Sequence, residues 1–363
     1  MRNTLLLFAS LAVTILCWGM YGPVLQWGQL GMRAAADAPI ARWRPFICVG
    51  MAYFLIGVIV PAVWLYLRGE KGDWTVRGII WSLAGGALGA IGALGIILAF
   101  TFGGRPIYVM PLVFGGAPVV NAFLTIYRAG RVKEIGPWFL AGLIMVILGA
   151  VIVLISAPHA PPAAAAGAAA SGVLDWVWRL LAVALAIVSW GSYGPVLHNG
   201  QAAMHHSRLR PLLCVGLAYF AIAVVVPSMI LAEVPEPSLY RHFFSGTLPS
   251  LAAGMFGAVG ALGIILAFNF GGRPVFVMPL VFGGAPVINT FFAMSTQGLL
   301  GEIGAMFLAG LILVIAGAAI VLVLGPRGDE GRESRVESRV PGRESEPVAE
   351  SAGPSLQSPS PHD

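Results

Sequence analysis

The sequence is short of charge. Asp, Glu, Lys and Arg make up 10% of its 363 residues, against about 25% in soluble globular domains. Hydrophobic residues make up 58%, and mean hydropathy is +0.86. A chain so poor in solvating side chains must bury most of its length in lipid or among other helices, which excludes a soluble enzyme. Cysteine is scarce too. Cys17, Cys48 and Cys214 all lie in apolar runs with no metal-type spacing, and read as small packing residues. All sixteen acids fall in loops, in the C-terminal stretch or at the ends of apolar runs. Nothing at mid-membrane depth can relay protons or oppose a cation, which argues against proton-coupled export through a buried carboxylate. The apolar runs also hold no Ser/His/Asp set and no metal-ligand set, which a membrane hydrolase needs. We therefore expect no enzyme, no metal and no cofactor. The net charge of +5 fits basic loops facing an anionic leaflet and does not point to nucleic acid.

What the chain does have, it has twice. Residues Gly89–Asn121 read GAIGALGIILAFTFGGRPIYVMPLVFGGAPVVN, and residues Gly257–Asn289 read GAVGALGIILAFNFGGRPVFVMPLVFGGAPVIN. Only Ile91/Val259, Thr101/Asn269, Ile107/Val275, Tyr108/Phe276 and Val120/Ile288 differ, so 28 of 33 positions match without a gap. The repeat reaches further. Trp18-Gly-Met-Tyr-Gly-Pro-Val-Leu25 pairs with Trp190-Gly-Ser-Tyr-Gly-Pro-Val-Leu197, Arg44-Pro45 with Arg210-Pro211, and Cys48–Phe54 with Cys214–Phe220. A duplicated apolar block in a membrane chain is the mark of a two-repeat transporter.

Apolar runs long enough for a membrane helix of about 20 residues fall at about 4–30, 46–67, 78–101, 106–127 and 137–157, and again at about 174–198, 211–232, 247–269, 274–296 and 304–325. The expected fold is all-α and polytopic: a first five-helix repeat over 1–157, a Pro/Ala linker over 158–172, a second repeat over 173–325 and a disordered cytoplasmic tail over 326–363. The N-terminal run has a signal-peptide look, but a copy of its motif recurs at Trp190, so it reads as a retained span. Five is an odd number, so the second repeat enters the membrane upside down, and the halves are expected to be related by a two-fold axis in the membrane plane. With the N-terminus inside, nine Lys/Arg fall in inner connections (68, 71, 77, 128, 131, 133, 208, 210 and 273) and five in outer ones (33, 42, 44, 105 and 241). That bias sets both termini in the cytoplasm, in the cytoplasmic (inner) membrane of a cell.

Four sets of residues are candidates for function. Spans 1 and 6 offer Trp18, Tyr21 and Pro23, and Trp190, Tyr193 and Pro195. Their rings either stack on a solute or anchor the interface. The two copies diverge next, Gln26-Trp27 against His198-Asn199, which are candidates for asymmetry in a binding site. Spans 4 and 9 carry Pro111 and Pro118, and Pro279 and Pro286, each pair bracketing two glycines. Proline removes a helical donor, and freed backbone groups are tolerated in a membrane only against protein or a wet cavity. These spans are expected to break or bend and to line a solute path. Asn121 and Asn289, one turn on, either cap freed carbonyls or bind solute. Spans 3 and 8 carry a glycine every third residue (Gly86, Gly89, Gly92, Gly95; Gly254, Gly257, Gly260, Gly263), for close helix packing or for a smooth cavity wall. Arg105 and Arg273 stand at the mouths of spans 4 and 9, on opposite faces, and either snorkel to headgroups or act as gates and anion attractors. Asp175 and Arg179 read as an interfacial i,i+4 ion pair.

Ten spans in two five-span halves resemble the drug/metabolite transporter superfamily in its ten-helix, EamA-like form. So do the half-endings Pro111…Pro118…Glu134…Leu140-Ala-Gly142…Gly149 and Pro279…Pro286…Gly301-Glu302…Leu308-Ala-Gly310…Gly317. The Trp-Gly-x-Tyr-Gly-Pro start is more distantly similar to the glucose, rhamnose and ureide permease branch. The resemblance covers residues 4–325. It implies a central cavity bounded by spans 1–4 and 6–9, peripheral spans 5 and 10 that can form a homodimer, and a small-molecule solute as partner. Aromatic, amide and backbone groups at the candidate positions point to a neutral, sugar-like solute. An organic-anion exchanger using Arg105 and Arg273, and a non-transporting membrane scaffold recruiting through its tail, are the alternatives.

Overall fold

A backbone buried in lipid must satisfy its own N–H and C=O groups, and a helix does so within one segment. In the computed structural model, every regular element among the described residues is helical. The described residues are 2–324 without 36, 37, 129, 131, 159–171, 206, 239 and 271–273. The expected linker lies almost wholly outside them, and the tail entirely so.

The helical runs are α1 (Arg2–Gly31), α2 (Trp43–Arg68), α3 (Val76–Thr101), α4 (Pro106–Arg128), α5 (Pro137–Ser156), α6 (Val173–Ala203), α7 (Leu209–Glu233), α8 (Leu248–Asn269), α9 (Pro274–Thr296) and α10 (Ala305–Leu324). Among the described residues, nine helices are long and apolar enough to cross a membrane. The run in α9 is shorter by that measure, Leu280–Thr296.

Helices α2 and α7 each contain one π-helical turn, Leu55–Ile59 and Ala221–Val225. A proline sits just beyond each turn, Pro61 and Pro227. Proline cannot donate to the carbonyl four residues back and its ring crowds it, so the ladder loosens by one residue immediately ahead of it. Helix α4 runs unbroken through Pro111 and Pro118, and α9 through positions 279 and 286. Pro23 and Pro195 likewise lie inside α1 and α6. Of the expected break or bend, the break is absent: each of these helices is continuous through its prolines.

Packing joins the two repeats more than it joins neighbours in sequence. Helix α3 lies along α6 and α1 along α8; α4 meets α6 and α1 meets α9; α3 meets α7 and α2 meets α8. The glycine strips make these approaches possible. A Cβ added at Gly92 would stand 2.1 Å from Trp190 Cδ1, and one at Gly260 would stand 2.2 Å from Trp18 Cδ1. Helices α5 and α10 pack on each other across Gly142, Gly149, Gly310 and Gly317. Their outward sides, including Trp138, Ile144, Ile155 and Ile312, are exposed.

Candidate functional site

The two tryptophans meet aromatic partners within the bundle. The Trp18 indole N–H donates to the Gly257 carbonyl at 3.2 Å, and that of Trp190 to the Gly89 carbonyl at 3.1 Å. Ring centroids of Trp18, Phe114 and Phe282 stand 6.3–6.4 Å from one another, Phe114 stands 6.4 Å from Trp190, and Tyr21 stands 6.1 Å from Trp190. Where α2 crosses α7, Tyr53 and Tyr219 stack at 3.8 Å with 1° between their planes. Gly57 packs on Gly216 beside them, and Gly50 on Ala223. The indole bonds, the tyrosine stack and these glycine contacts recur on both sides of the repeat relation.

Between Gly19/Gly191 and Gly28/Gly200, where each glycine again packs on a buried serine (Ser250 and Ser82), the likeness lapses. Tyr21, Val24 and Leu25 are 4%, 7% and 0% exposed, whereas Tyr193, Val196 and Leu197, the same residue types in the second repeat, are half-exposed. Asn289 is fully buried and Asn121 half-buried; Met110 is fully buried and Met278 half-buried. At Gly22 an added Cβ would meet Met110 Cγ at 2.6 Å and Asn289 Oδ1 at 3.0 Å. At Gly194 it would meet Asn121 Nδ2 at 2.8 Å. An open apolar groove of about 300 Å³ lies among α4, α5 and α6, lined by Val119, Val120, Phe123, Phe139, Leu143 and Ser192 among others.

The buried side is held by polar contacts between and within the repeats. Asn289 Nδ2 donates to the Pro106 carbonyl at 2.8 Å, while Asn289 Oδ1 and Tyr21 Oη are buried without a partner. Gln26 Nε2 donates to the Gly104 carbonyl at 3.1 Å, and Gln29 Nε2 to the carbonyls of Ala41 and Ile97 at 3.0 and 3.2 Å. Arg105 donates to the Pro158 carbonyl at 2.7 Å and to Gln297 Oε1 at 2.5 Å. Burial pulls its guanidinium below the usual arginine range, against the opposing influence of Tyr108 and Glu302. His198 is exposed on α6. Arg273 lies outside the described residues, as do the side-chain surroundings of Pro279.

Two features were not among the expected functional residues, and a third, Arg179, has a role other than the one expected. The first is a reciprocal pair of helix caps. The Glu236 carboxylate accepts from the backbone N–H groups of Arg42, Trp43 and Arg44 at 3.0–3.2 Å, at the start of α2. The Glu70 carboxylate accepts from Arg208 and Leu209 N–H and from Ser207 Oγ at 2.6–3.2 Å, at the start of α7. A carboxylate there meets orphan donors and the positive end of the helix dipole. Glu70 and Glu236 share the 166-residue offset of Cys48 and Cys214, which was the available signal. The second is Gln29, fully buried near the end of α1. Its recurrence as Gln201, in step with Trp18 and Trp190, was the signal there. The third is Arg179, 6% exposed, which donates to the Phe102 carbonyl at 2.8 Å and to Tyr108 Oη at 3.4 Å and lies over the Trp176 ring. It caps the carbonyl end of α3, where a cation is favoured, so the expected surface pair with Asp175 gives way to a buried cap. Among the described residues, no three His, Cys, Asp or Glu gather where they could hold a metal ion.

No family model matches the sequence, and no curated protein matches it. A crystal structure described only as that of a protein matches 86% of this chain and 99% of its own at 17% identity, with a TM-score of 0.46, a likeness too slight to assign fold or function.

Proposed function

We propose that the chain is a membrane permease that moves a small neutral polar solute, sugar-like in chemistry, by alternating access. In this reading ten helices form two inverted five-helix repeats in the cytoplasmic membrane, with both termini inside. The observation that carries it is one sequence in two environments. Tyr-Gly-Pro-Val-Leu is sealed at 21–25 and half-open at 193–197. The segment itself is the same in both copies, so it can fit either environment. Exchanging the two environments then gives the second state of an alternating-access cycle. With the N-terminus inside, the sealed copy lies in the outer half of the membrane and the half-open copy in the inner half, an inward-facing form.

The solute class follows from what surrounds the boundary. Trp18, Trp190, Phe114 and Phe282 offer flat faces, Tyr21 and Asn289 offer buried oxygens without partners, and these groups carry no charge. Flat apolar faces beside a few neutral hydrogen-bonding groups suit a polyhydroxylated ring. The anion-exchange variant draws less support, because the Arg105 guanidinium is already engaged by Pro158 and Gln297. A homodimer through α5 and α10 would use their lipid-facing sides, since their glycine faces are taken up within the chain.

Reconstituted protein tested for uptake of a broad panel of labelled sugars, polyols, amides and organic anions checks the reading. Saturable accumulation of a neutral solute is expected. Accumulation of anions alone would favour exchange, and movement of no solute would overturn transport. Deleting residues 330–363 should leave uptake intact.

A further inference from the structure

Asn121 and Asn289 have nearly the same sequence around them and opposite surroundings in the fold. Asn289 is fully buried, and its side-chain N–H ties α9 to the first turn of α4 through the Pro106 carbonyl at 2.8 Å. That contact joins one repeat to the other. It sits directly behind the sealed segment, because Asn289 Oδ1 and Met110 both crowd Gly22. In the other copy Asn121 is half-buried against Gly194. The counterpart of Pro106 there is Pro274, which begins α9 as Pro106 begins α4. A solute-binding amide would be expected to face a shared chamber in both copies. A latch would be expected to have opposite surroundings in the two copies, as these two asparagines do.

We propose that Asn289 and Asn121 are alternating latches, each closing one side of the pathway by donating its amide N–H to the proline carbonyl at the start of the opposite helix, Pro106 for Asn289 and Pro274 for Asn121. The inference rests on the alternating-access reading. The latch is built to let go. The Asn289 amide oxygen is buried without a partner, and that cost subtracts from the benefit of the bond, so the closed side is held only weakly. No proton transfer or bound ion is involved, and the two sides need only exchange one hydrogen bond.

The test uses the full chain in liposomes, with Cys17, Cys48 and Cys214 replaced by serine or alanine and a single reporter thiol introduced as Val24→Cys or Val196→Cys. Labelling by a membrane-impermeant maleimide is followed from each side. With both asparagines present, the thiol at position 196 should react from the inner side, and the thiol at position 24 should react slowly from either. Asn289→Ala should raise labelling at position 24 from the outer side about three- to ten-fold, the scale of losing one neutral hydrogen bond, and lower labelling at position 196. Asn121→Ala removes the latch of the opposite form and should lower labelling at position 24; a rise would count against the proposal. Asn289→Leu, which keeps the volume and lacks the donor, serves if the alanine variant fails to fold. Folded Asn289 variants with unchanged labelling at both reporters, or with both reporters faster, would overturn the latch. The readout needs no solute. Labelling shifts without any solute movement would defeat the permease reading and leave the latch standing, whereas saturable uptake with unshifted labelling would do the reverse.

Discussion

The crossing of α2 with α7 and the boundary formed by α1, α4, α6 and α9 are built from equally repetitive sequence, yet only the first is symmetric. At the crossing, Tyr53 faces Tyr219, Gly57 faces Gly216 as Ala223 faces Gly50, π-turns recur at the same positions, and Glu70 and Glu236 each cap the helix of the opposite repeat. At the boundary, Tyr21 is buried and Tyr193 half-exposed, and Asn289 is buried and bonded across the repeats while Asn121 is half-buried. The difference teaches where motion can be accommodated. Two caps made at once, one at each end of the crossing, leave nothing there to exchange. Under the permease reading, the α2–α7 pair is the pivot and the boundary is what rocks about it. Within α1 and α6 the change falls between Gly19 and Gly22, and between Gly191 and Gly194, just ahead of Pro23 and Pro195, where the missing proline donor makes a helix easiest to bend.

The largest effects should come from the aromatic contacts that both repeats share. Trp18→Ala and Trp190→Ala each remove an indole packed on a glycine and bonded to a helix carbonyl. Each should destabilise the protein by about 3 kcal/mol, as large-to-small changes in packed interiors do, and by similar amounts. Thermal unfolding in detergent measures this. Losses differing by more than about half of that value would mean that the asymmetry reaches deeper than Gly19 and would break the comparison.

The next largest should come from the caps. Glu70→Ala and Glu236→Ala each strip a carboxylate from two or more backbone donors at a helix start. A cost of about 1–2 kcal/mol each is expected, with the double variant close to additive because the two caps stand at opposite ends of the pair. Stability should fall while the ratio of thiol labelling at positions 24 and 196 stays fixed. A changed ratio would turn the caps from parts of a pivot into gates.

Much of this was legible in the residues, and the parts that were not share a cause. Helices follow from composition because lipid leaves few other choices, and the glycine strips pointed to close packing or a cavity wall, of which the packing is seen, against Trp18 and Trp190. The caps escaped notice because a lone glutamate in a loop resembles every other solvated charge. Only the 166-residue offset linking Glu70 to Glu236, and Arg44 to Arg210, separates the pair from chance. Arg179 has no repeat counterpart of its own type, Leu7 standing in its place, so no internal comparison points to it. Gln29 does recur, as Gln201, yet Gln29 is fully buried and Gln201 half-buried, so the repeat marks the position without telling which copy is sealed. The same holds for Tyr21 and Tyr193. Identical residues do not by themselves encode a difference between the copies; under the permease reading that difference reports one state of the molecule.

The smallest effect is the most discriminating. Tyr21 Oη is buried without a partner, and an unsatisfied hydroxyl in such a place costs about 1–3 kcal/mol. Tyr21→Phe removes the hydroxyl and keeps the ring against Trp190, so it should be neutral or should stabilise the protein by about 1 kcal/mol. Tyr193→Phe removes a hydroxyl from a half-exposed residue and should change stability by less than about 0.5 kcal/mol. Stability is commonly given up where activity needs a group. Under the permease reading Tyr21 finds its partner when its own side opens, so Tyr21→Phe should weaken uptake of a neutral solute while raising the unfolding temperature. Opposite signs in one variant separate a functional hydroxyl from a structural one. If Tyr21→Phe instead lowered stability and uptake together, Tyr21 would be an ordinary part of the core, and the buried copy would be the resting structure rather than one of two exchangeable arrangements.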